Sequence, residues 1–119
     1  MLNRPIRKAL GESNFQRLFR MYRANARHRG LVFELTEQQF RALTGDRCVY
    51  CGTPPISSIR EKGSYGEYLY NGIDRRDSNV GYVLENCVTA CKLCNQAKSN
   101  RPYQEWMVWL SRVSRWQRG

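Results

Sequence analysis

Two pairs of cysteines, each with two residues between its members, constrain this chain more than any other feature of its sequence. The pairs are Cys48/Cys51 and Cys91/Cys94, and residues 52–90 lie between them. Two such turns, here called knuckles, can supply four thiolates to one tetrahedral zinc ion. The intervening chain is too long for the shortest zinc fingers, so we expect a module inserted between the knuckles. A complete shell of four thiolates has no open coordination position, which predicts a structural ion rather than a catalytic one.

Disulfides and redox chemistry are the alternatives for these thiols. The chain has five cysteines, an odd number, and no apolar segment follows the basic residues of its first ten positions. The absence of a secretory signal and the odd count both favour a reducing compartment and metal binding. The remaining thiol, Cys87, is interpreted as a small buried residue. The longest apolar run, 106–110, is far shorter than the 20 or so residues of a membrane span, which predicts no membrane association.

The charge of the chain is strongly basic and unevenly distributed. Lys and Arg number 20 against 10 Asp and Glu, a formal net charge of +10, and the excess lies in residues 1–47 and 92–119. Two basic flanks around a near-neutral centre suit a polyanion, although a merely soluble basic surface is the alternative. A stripe along the first predicted helix is interpreted either as a solvated exterior or as a phosphate contact. We call it the arginine stripe, and it consists of Arg17, Arg20, Arg23 and Arg27.

The length of the chain indicates one domain, and hydrophobic periodicity predicts its helices. A helix is expected over 13–29, with Ser13 as its N-cap and Gly30 after its end. Thr36 and Gln39 match a capping box for a short helix that runs to about residue 43. A last helix is expected from about Pro102 to residue 116. Its apolar face is interpreted as core rather than as a base-stacking platform, and consists of Tyr103, Trp106, Trp109, Leu110 and Val113.

The centre of the chain is predicted to hold the strands. Residues 31–35 are expected to be extended and residues 53–66 to form a loop, because prolines and glycines punctuate the latter. Strands are predicted over 67–73 and 87–90, and a helix is expected to begin at the second knuckle. The resulting organisation is a basic helical segment over 1–47, a zinc-stapled core over 48–100, and a C-terminal helix over 101–119 that packs on the core.

Three blocks in this central region carry a family resemblance. Residues 70–75, 81–86 and 91–98 occur in an order and spacing that resemble the HNH (His-Me finger) nucleases, and the small phage-type proteins with a four-cysteine zinc site in particular. Residues 22–31 are similar to the N-terminal helices of that group, so the resemblance covers about residues 15–100. It implies an α+β fold with a ββα-metal core, in which two short antiparallel strands and a helix cradle one divalent cation. The knuckles and the N- and C-terminal helices would flank that core.

The resemblance assigns roles to four positions. Asp74, at the end of the first strand, would bind the catalytic cation, and Asn95 would be its second ligand. Asn86 would brace the loop that joins the strands. Oxygen ligands of this kind suit Mg²⁺ or Mn²⁺, which can polarise a phosphate and stabilise the leaving 3′ oxygen. Arg75 occupies the position where the family usually has the histidine that activates water, and a guanidinium cannot serve as that base.

The departure at Arg75 leaves the general base open. Arg75 can still contact a phosphate or stabilise developing charge. Tyr70, Tyr82 or a metal-bound hydroxide would then have to act as the base. His28, the single histidine, is interpreted as a surface residue. The chain is accordingly predicted to be a nuclease with a variant base, a slow nickase, or a binder that no longer cuts.

The function predicted from these features is metal-dependent cleavage of double-stranded DNA, with one strand nicked per encounter. The alternatives are a zinc-dependent DNA-binding or accessory module without catalysis, and a structural zinc protein that contacts RNA. No interface signature is present, which favours a monomer, and the expected location is the cytoplasm of a bacterial or phage-infected cell. The residues predicted to contact nucleic acid are the arginine stripe together with Arg76 and Lys98.

Overall fold

The structure is a computed structural model that describes residues 9–119, so residues 1–8 of the predicted basic lead-in lie outside the described part. It confirms the α+β class. The helices are α1 (Glu12–His28), α2 (Glu37–Thr44), α3 (Lys92–Lys98) and α4 (Tyr103–Gln117). The strands are β1 (Ser57–Ile59), β2 (Tyr68–Tyr70), β3 (Gly72–Arg75) and β4 (Cys87–Ala90), and a 3₁₀ turn covers Leu84–Asn86.

Helix α1 supplies one side of an aromatic core. Phe15, Leu18, Phe19 and Ala26 follow helical spacing and are buried, so they form the apolar face of this helix. The ring of Phe15 lies 5.9 Å from that of Phe40 on α2, measured between centroids. Aromatic pairs of this kind add stabilisation beyond that of the buried area. The core therefore joins the N-terminal helices to the strands.

The start of α1 differs from the prediction. Ser13 is not the N-cap, because the helix begins at Glu12 after Gly11, which has a positive φ of 82° and no side-chain cap. A Cβ at Gly11 would lie 2.6 Å from the carbonyl oxygen of Glu67. Glycine is thus required by a close backbone approach from the β1–β2 hairpin, a contact that local sequence does not show.

Helix α2 begins with the predicted capping box. Thr36 Oγ1 accepts a hydrogen bond from the Gln39 backbone N–H at 3.1 Å, and Gln39 Oε1 accepts one from the Thr36 N–H at 2.9 Å. Phe40 follows directly and is fully buried. The capping box therefore stabilises the first turn of the helix that carries Phe40 into the aromatic core.

The strands form two separate two-stranded antiparallel sheets. Strand β1 pairs with β2, and β3 pairs with β4 with Asp74 opposite Val88. The prediction of a loop throughout 53–66 is therefore wrong at β1. This strand has only three residues, which are too few to show the alternation of polar and apolar residues that predicts a strand. Strand β4 has the predicted bounds. The expected single strand over 67–73 is divided, since β2 and β3 belong to different sheets.

Asn71 causes that division. It is fully buried, and its backbone N–H donates to the carbonyl oxygen of Thr44 at 2.8 Å. Its Nδ2 donates to the carbonyl oxygens of Asp46 and Thr53 at 3.0 and 3.1 Å. Asn71 thus binds the end of α2 and the first knuckle, and it turns the chain from one sheet into the other.

Helix α4 packs on the core through its first turns. Trp106 is 2 % exposed and its ring makes an edge-to-face contact with Tyr50, with centroids 5.5 Å apart. Leu110 is half-buried, but Trp109 and Val113 are exposed, so the prediction that the whole apolar face is core is wrong at those two positions. Trp116, near the end of the helix, is 81 % exposed. Helical spacing placed these side chains on one face, but the core ends before the helix does. Within residues 9–119, no helix is both long and apolar enough to cross a bilayer.

The difference in exposure between Trp106 and Trp116 predicts that their substitutions change the free energy of unfolding unequally. Trp106→Ala should lower the free energy of unfolding by about 3–5 kcal/mol, because it leaves a cavity in the core. Trp116→Ala should change it by no more than about 0.5 kcal/mol, since that side chain is exposed. Urea denaturation followed by circular dichroism measures both. Equal effects would show that the end of α4 is covered in solution.

Candidate active site

Four of the five cysteines meet at one point. The Sγ atoms of Cys48, Cys51, Cys91 and Cys94 all lie within 4.8 Å of one another, and those of Cys51 and Cys91 are 3.7 Å apart. Four thiolates bound at about 2.3 Å around a tetrahedral zinc would be about 3.8 Å apart. The spacing therefore fits a single metal ion held by both knuckles.

Backbone hydrogen bonds within the knuckles favour the thiolate form of one of these cysteines, Cys48. Burial by itself would raise the pKa of the Cys48 thiol, but hydrogen bonds from the backbone N–H groups of Cys91, Cys51 and Tyr50 outweigh it and lower the pKa to about 7. Cys87 lies outside the cluster and is buried, and this burial raises the pKa of its thiol to about 12. Cys87 therefore remains a neutral buried residue, in agreement with its interpretation from the sequence.

Asp74 is the acidic centre of the ββα unit. Its side chain is 4 % exposed. Its Oδ2 accepts a hydrogen bond from the hydroxyl of Tyr50 at 2.6 Å, and its Oδ1 accepts one from Nζ of Lys98 at 3.2 Å. Each carboxylate oxygen has a second lone pair, so both donors can hold the group while it binds a cation.

Lys98 does not have the surface position that the phosphate-binding prediction required. It is fully buried, and its Nζ donates to the Arg75 carbonyl oxygen at 3.2 Å as well as to Asp74. A buried ammonium in this geometry balances the charge of Asp74 and cannot reach an external phosphate. Its assignment as a phosphate contact is therefore corrected, because the turn of α3 that carries it faces β3 rather than solvent.

Tyr50 is a site residue that the sequence did not reveal. It belongs to the first knuckle, and burial, followed by the hydrogen bond to the Asp74 carboxylate, raises the pKa of its phenol well above the ordinary value. Tyr50 thus stays protonated and donates to Asp74. Its position between Cys48 and Cys51 indicated that it lies close to a metal site. The sequence could not show that its hydroxyl reaches Asp74, because that contact joins residues 24 positions apart.

Asn95 lines the same cleft as Asp74. Its Nδ2 donates to the Ile73 carbonyl oxygen at 3.3 Å, which leaves Oδ1 as the acceptor of the amide. Asp74 and Asn95 line the same depression of about 490 Å³, here called the Asp74 cleft. Its walls also include Tyr22, Tyr70, Arg75 and Tyr82. A carboxylate and an amide oxygen in one open cleft are a donor set that fits Mg²⁺ or Mn²⁺.

The loop between β3 and β4 is held by two side chains. Asn86 is buried; its Oδ1 accepts from the Asp77 N–H at 3.0 Å, and its Nδ2 donates to the carbonyl oxygens of Asp77 and Gly81 at 3.1 Å. Arg75 uses Nη1 to donate to the carbonyl oxygens of Ser78 and Val80 at 2.6 and 3.0 Å. Both side chains therefore brace the loop beside the cleft.

Among the described residues, those lining the Asp74 cleft include no histidine. His28 is exposed in the last turn of α1. Tyr70 and Tyr82, the tyrosines proposed from the sequence as bases, do line the cleft. Tyr22 lies beside them; burial raises the pKa of Tyr22 to about 12, although its hydroxyl also accepts from the Ile73 N–H at 3.3 Å. The cleft therefore offers phenols rather than an imidazole.

The arginine stripe does not face this cleft. Tyr22 and Asn25 of α1 line the cleft, and at about 100° per residue the stripe lies on the opposite side of the helix. One member, Arg17, pairs with Glu61 at 3.4 Å. Arg76 is exposed, with its guanidinium 5.2 Å from the ring centroid of Tyr103. The structure thus brings Asp74, Arg75 and Asn95 together and leaves the stripe apart from them.

Comparison with known proteins gives one structural neighbour and two related sequences. The solved structure of the rare-cutting HNH restriction endonuclease PacI is similar over 85 % of this chain and 77 % of that one, with a TM-score of 0.60 and 27 % identity. The uncharacterized protein R423 of Acanthamoeba polyphaga mimivirus is 39 % identical over 87 residues, or 73 % of this chain. The SPbeta prophage-derived putative HNH endonuclease YoqL of Bacillus subtilis (strain 168) is 27 % identical over 78 residues, or 63 % of this chain.

The chain spans a small part of both related sequences, 14 % of the mimivirus protein and 33 % of the prophage protein. No protein-family model matches it.

The buried ion pair predicts a difference between two lysines of α3. Lys98→Met leaves the Asp74 carboxylate buried without its cation and should lower the free energy of unfolding by about 3–5 kcal/mol. Lys92→Met, on an exposed turn of the same helix, should change it by no more than about 0.5 kcal/mol. Urea denaturation without added Mg²⁺ or Mn²⁺ compares them. Equal stabilities would mean that Asp74 does not depend on Lys98.

Proposed function

The chain belongs to the HNH endonuclease family, and on that basis we propose that it is a metal-dependent endonuclease that hydrolyses phosphodiester bonds in double-stranded DNA and nicks one strand per encounter. The observation that carries the proposal is the convergence of Asp74 and Asn95 on one open cleft within a fold like that of an HNH restriction endonuclease. The net charge of +10 supports a polyanionic substrate.

The catalytic cation in this proposal is Mg²⁺ or Mn²⁺. Asp74 and the amide oxygen of Asn95 would hold it, and it would supply Lewis acidity to the scissile phosphate. Tyr50 and Lys98 orient the Asp74 carboxylate through one hydrogen bond to each oxygen. Because both donors are fixed by packing, the carboxylate is held in one orientation before the substrate arrives.

The ion in the knuckles is proposed to be Zn²⁺, with a structural role. Four cysteine thiolates form a soft tetrahedral shell that suits zinc. Such a shell has no position left for water or substrate. It is separated from Asp74 by Tyr50, whose backbone belongs to the first knuckle and whose hydroxyl contacts Asp74. The two metal sites therefore have separate functions, one for folding and one for chemistry.

Hydrolysis joins a water oxygen to phosphorus and breaks the bond from phosphorus to the 3′ oxygen. One proton of the water passes to a base and the 3′ oxygen takes up a proton. Arg75 stays protonated, so its part is to hold the loop and to offer positive charge to the phosphate. Tyr70 and Tyr82 line the cleft and are the side chains from which we propose the base is drawn.

The second candidate is a DNA-binding or accessory module that does not cut. It is favoured by one observation, the absence of a histidine among the described residues that line the Asp74 cleft. Under this alternative the protein binds DNA with a steep salt dependence and has no requirement for Mg²⁺. We propose in either case that it acts as a monomer in the cytoplasm of a bacterial or phage-infected cell, a setting that the prophage relative supports.

The nuclease proposal is tested by Asp74→Asn, which keeps the shape of the side chain but removes its charge. Conversion of supercoiled plasmid to the nicked form should require Mg²⁺ or Mn²⁺ and fall by about 100-fold or more in the variant. DNA binding should be retained. Asp46→Asn, a change at an exposed carboxylate, is the matched control and should nick like the wild type. Full activity in Asp74→Asn would refute the site, and no nicking by the wild type would favour the accessory module.

The zinc proposal predicts that the two metals can be removed with different results. Leaving Mg²⁺ and Mn²⁺ out of the buffer should abolish nicking without changing the melting temperature. A zinc chelator under reducing conditions should lower the melting temperature steeply, because binding of a structural zinc is coupled to folding. Metal analysis should find one zinc per chain. A melting temperature that chelation does not change would contradict the assignment of the four cysteines to zinc.

A further inference from the structure

The Asp74 cleft is one half of a longer groove. A second depression of about 810 Å³, here called the side groove, lies between the β1–β2 hairpin and α3. Both depressions are lined by Tyr22, Tyr70, Asn95 and Ser99. Asn95 therefore lies where the two halves meet, so a strand with a phosphate at Asp74 and Asn95 would have open channel on both sides.

The floor between the two halves is backbone. Gly72 lines the side groove, and a Cβ there would lie 3.1 Å from Tyr22 Oη and 3.6 Å from Asn95 Nδ2. The absence of a side chain keeps the passage beside Asn95 open. Ser57, Ser58 and Gln96 make the walls of the side groove polar, which suits a sugar–phosphate backbone better than an apolar ligand.

Each half of the groove has one basic side chain that has not been assigned so far. Arg29 lines the Asp74 cleft, and Lys92 lines the side groove. Both residues are exposed, and neither forms a salt bridge within residues 9–119. One unpaired basic side chain thus lines each half of the groove.

The geometry excludes Lys98 and the arginine stripe, which the sequence suggested as contacts for this strand. Lys98 is buried against Asp74, and the arginine stripe lies on the far side of α1. Arg29 is seven residues beyond Tyr22, or about two helical turns, so it returns to the side of α1 that faces the cleft. Lys92 precedes Asn95 by three residues and shares its face of α3.

We propose that the cleaved DNA strand lies along this groove, and that Arg29 and Lys92 each bind a backbone phosphate, one on each side of the scissile phosphate. The proposal rests on the proposed function and adds to it the path of the substrate strand. Contacts of this kind position the strand without reading its sequence. Each contact releases counterions when it forms, so it contributes to the salt dependence of binding.

The experiment compares Arg29→Ala, Lys92→Ala and the double variant with the wild type. Binding to a labelled duplex is measured by fluorescence anisotropy over a range of salt, without Mg²⁺ or Mn²⁺ so that the DNA stays intact. The slope of log K against log[salt] should become shallower by about 0.9 for each substitution and by about twice that in the double variant. Plasmid nicking should show a raised KM with kcat retained, as expected for uniform binding.

Two controls keep the result specific. Lys62→Ala removes an exposed lysine that does not line either half of the groove, and it should leave the slope unchanged. Arg27→Ala changes the far side of the helix that carries Arg29. Unchanged slopes in Arg29→Ala and Lys92→Ala, or a loss in Arg27→Ala alone, would overturn the proposed path. Melting temperatures check that the variants are folded.

The outcomes separate this proposal from the proposed function. If the wild type nicks DNA through Asp74 but neither substitution changes the slope, the path is wrong and the nuclease stands. If the wild type does not nick in any metal and both substitutions still make the slope shallower, the groove is a DNA-binding site on a protein that does not cut.

Discussion

The cysteine cluster is the constraint on which the rest of the site depends. It ties residues 48–51 to residues 91–94, and these two knuckles carry the groups that position Asp74. Tyr50 leaves the first knuckle and donates to one carboxylate oxygen, while α3 begins at the second knuckle and brings Lys98 to the other. Closing such a long loop costs entropy that a domain of this size cannot easily offset by burial alone. A bound metal would offset it, and the same ion would thereby set the geometry of the cleft.

The buried pair of Asp74 and Lys98 also limits what the site can bind. Asp74 is the one carboxylate among the described residues that line its cleft, and an ammonium 3.2 Å away already balances its charge. Mg²⁺ in proteins is usually held by one or two carboxylates together with substrate phosphates. With a single, partly neutralised carboxylate, the cleft lacks the charge to hold a divalent cation tightly by itself. A DNA phosphate would supply the missing charge, so metal and substrate would bind cooperatively.

Local sequence patterns predicted much of this architecture, and long-range contacts account for what they missed. The Cys-x-x-Cys spacing, the Thr36–Gln39 capping box and the bounds of β4 each depend on neighbours within a few residues, and the structure has all three. Strand β1 exists because of a partner nine or more residues away, and the residue that takes the cap position in place of Ser13, Gly11, has to be glycine because Glu67 approaches it. The burial of Lys98 likewise requires Asp74, far earlier in the chain. Spacing shows which residues share a face but not which element covers that face.

The arginine stripe shows the consequence for function. Periodicity correctly placed four arginines on the side of α1 opposite Phe15 and Leu18, but a helix with a buried face has two flanks as well as an outer side. Tyr22, Asn25 and Arg29 form the flank that borders the cleft, and in sequence they look like the rim of the core. A count of charges therefore predicts that the outer side of α1 binds phosphate, whereas the position of Asp74 indicates the flank. On the proposed path of the strand, the phosphates next to the scissile bond lie in the cleft, so Arg29 on this flank would contribute more to positioning them than the arginine stripe on the outer side.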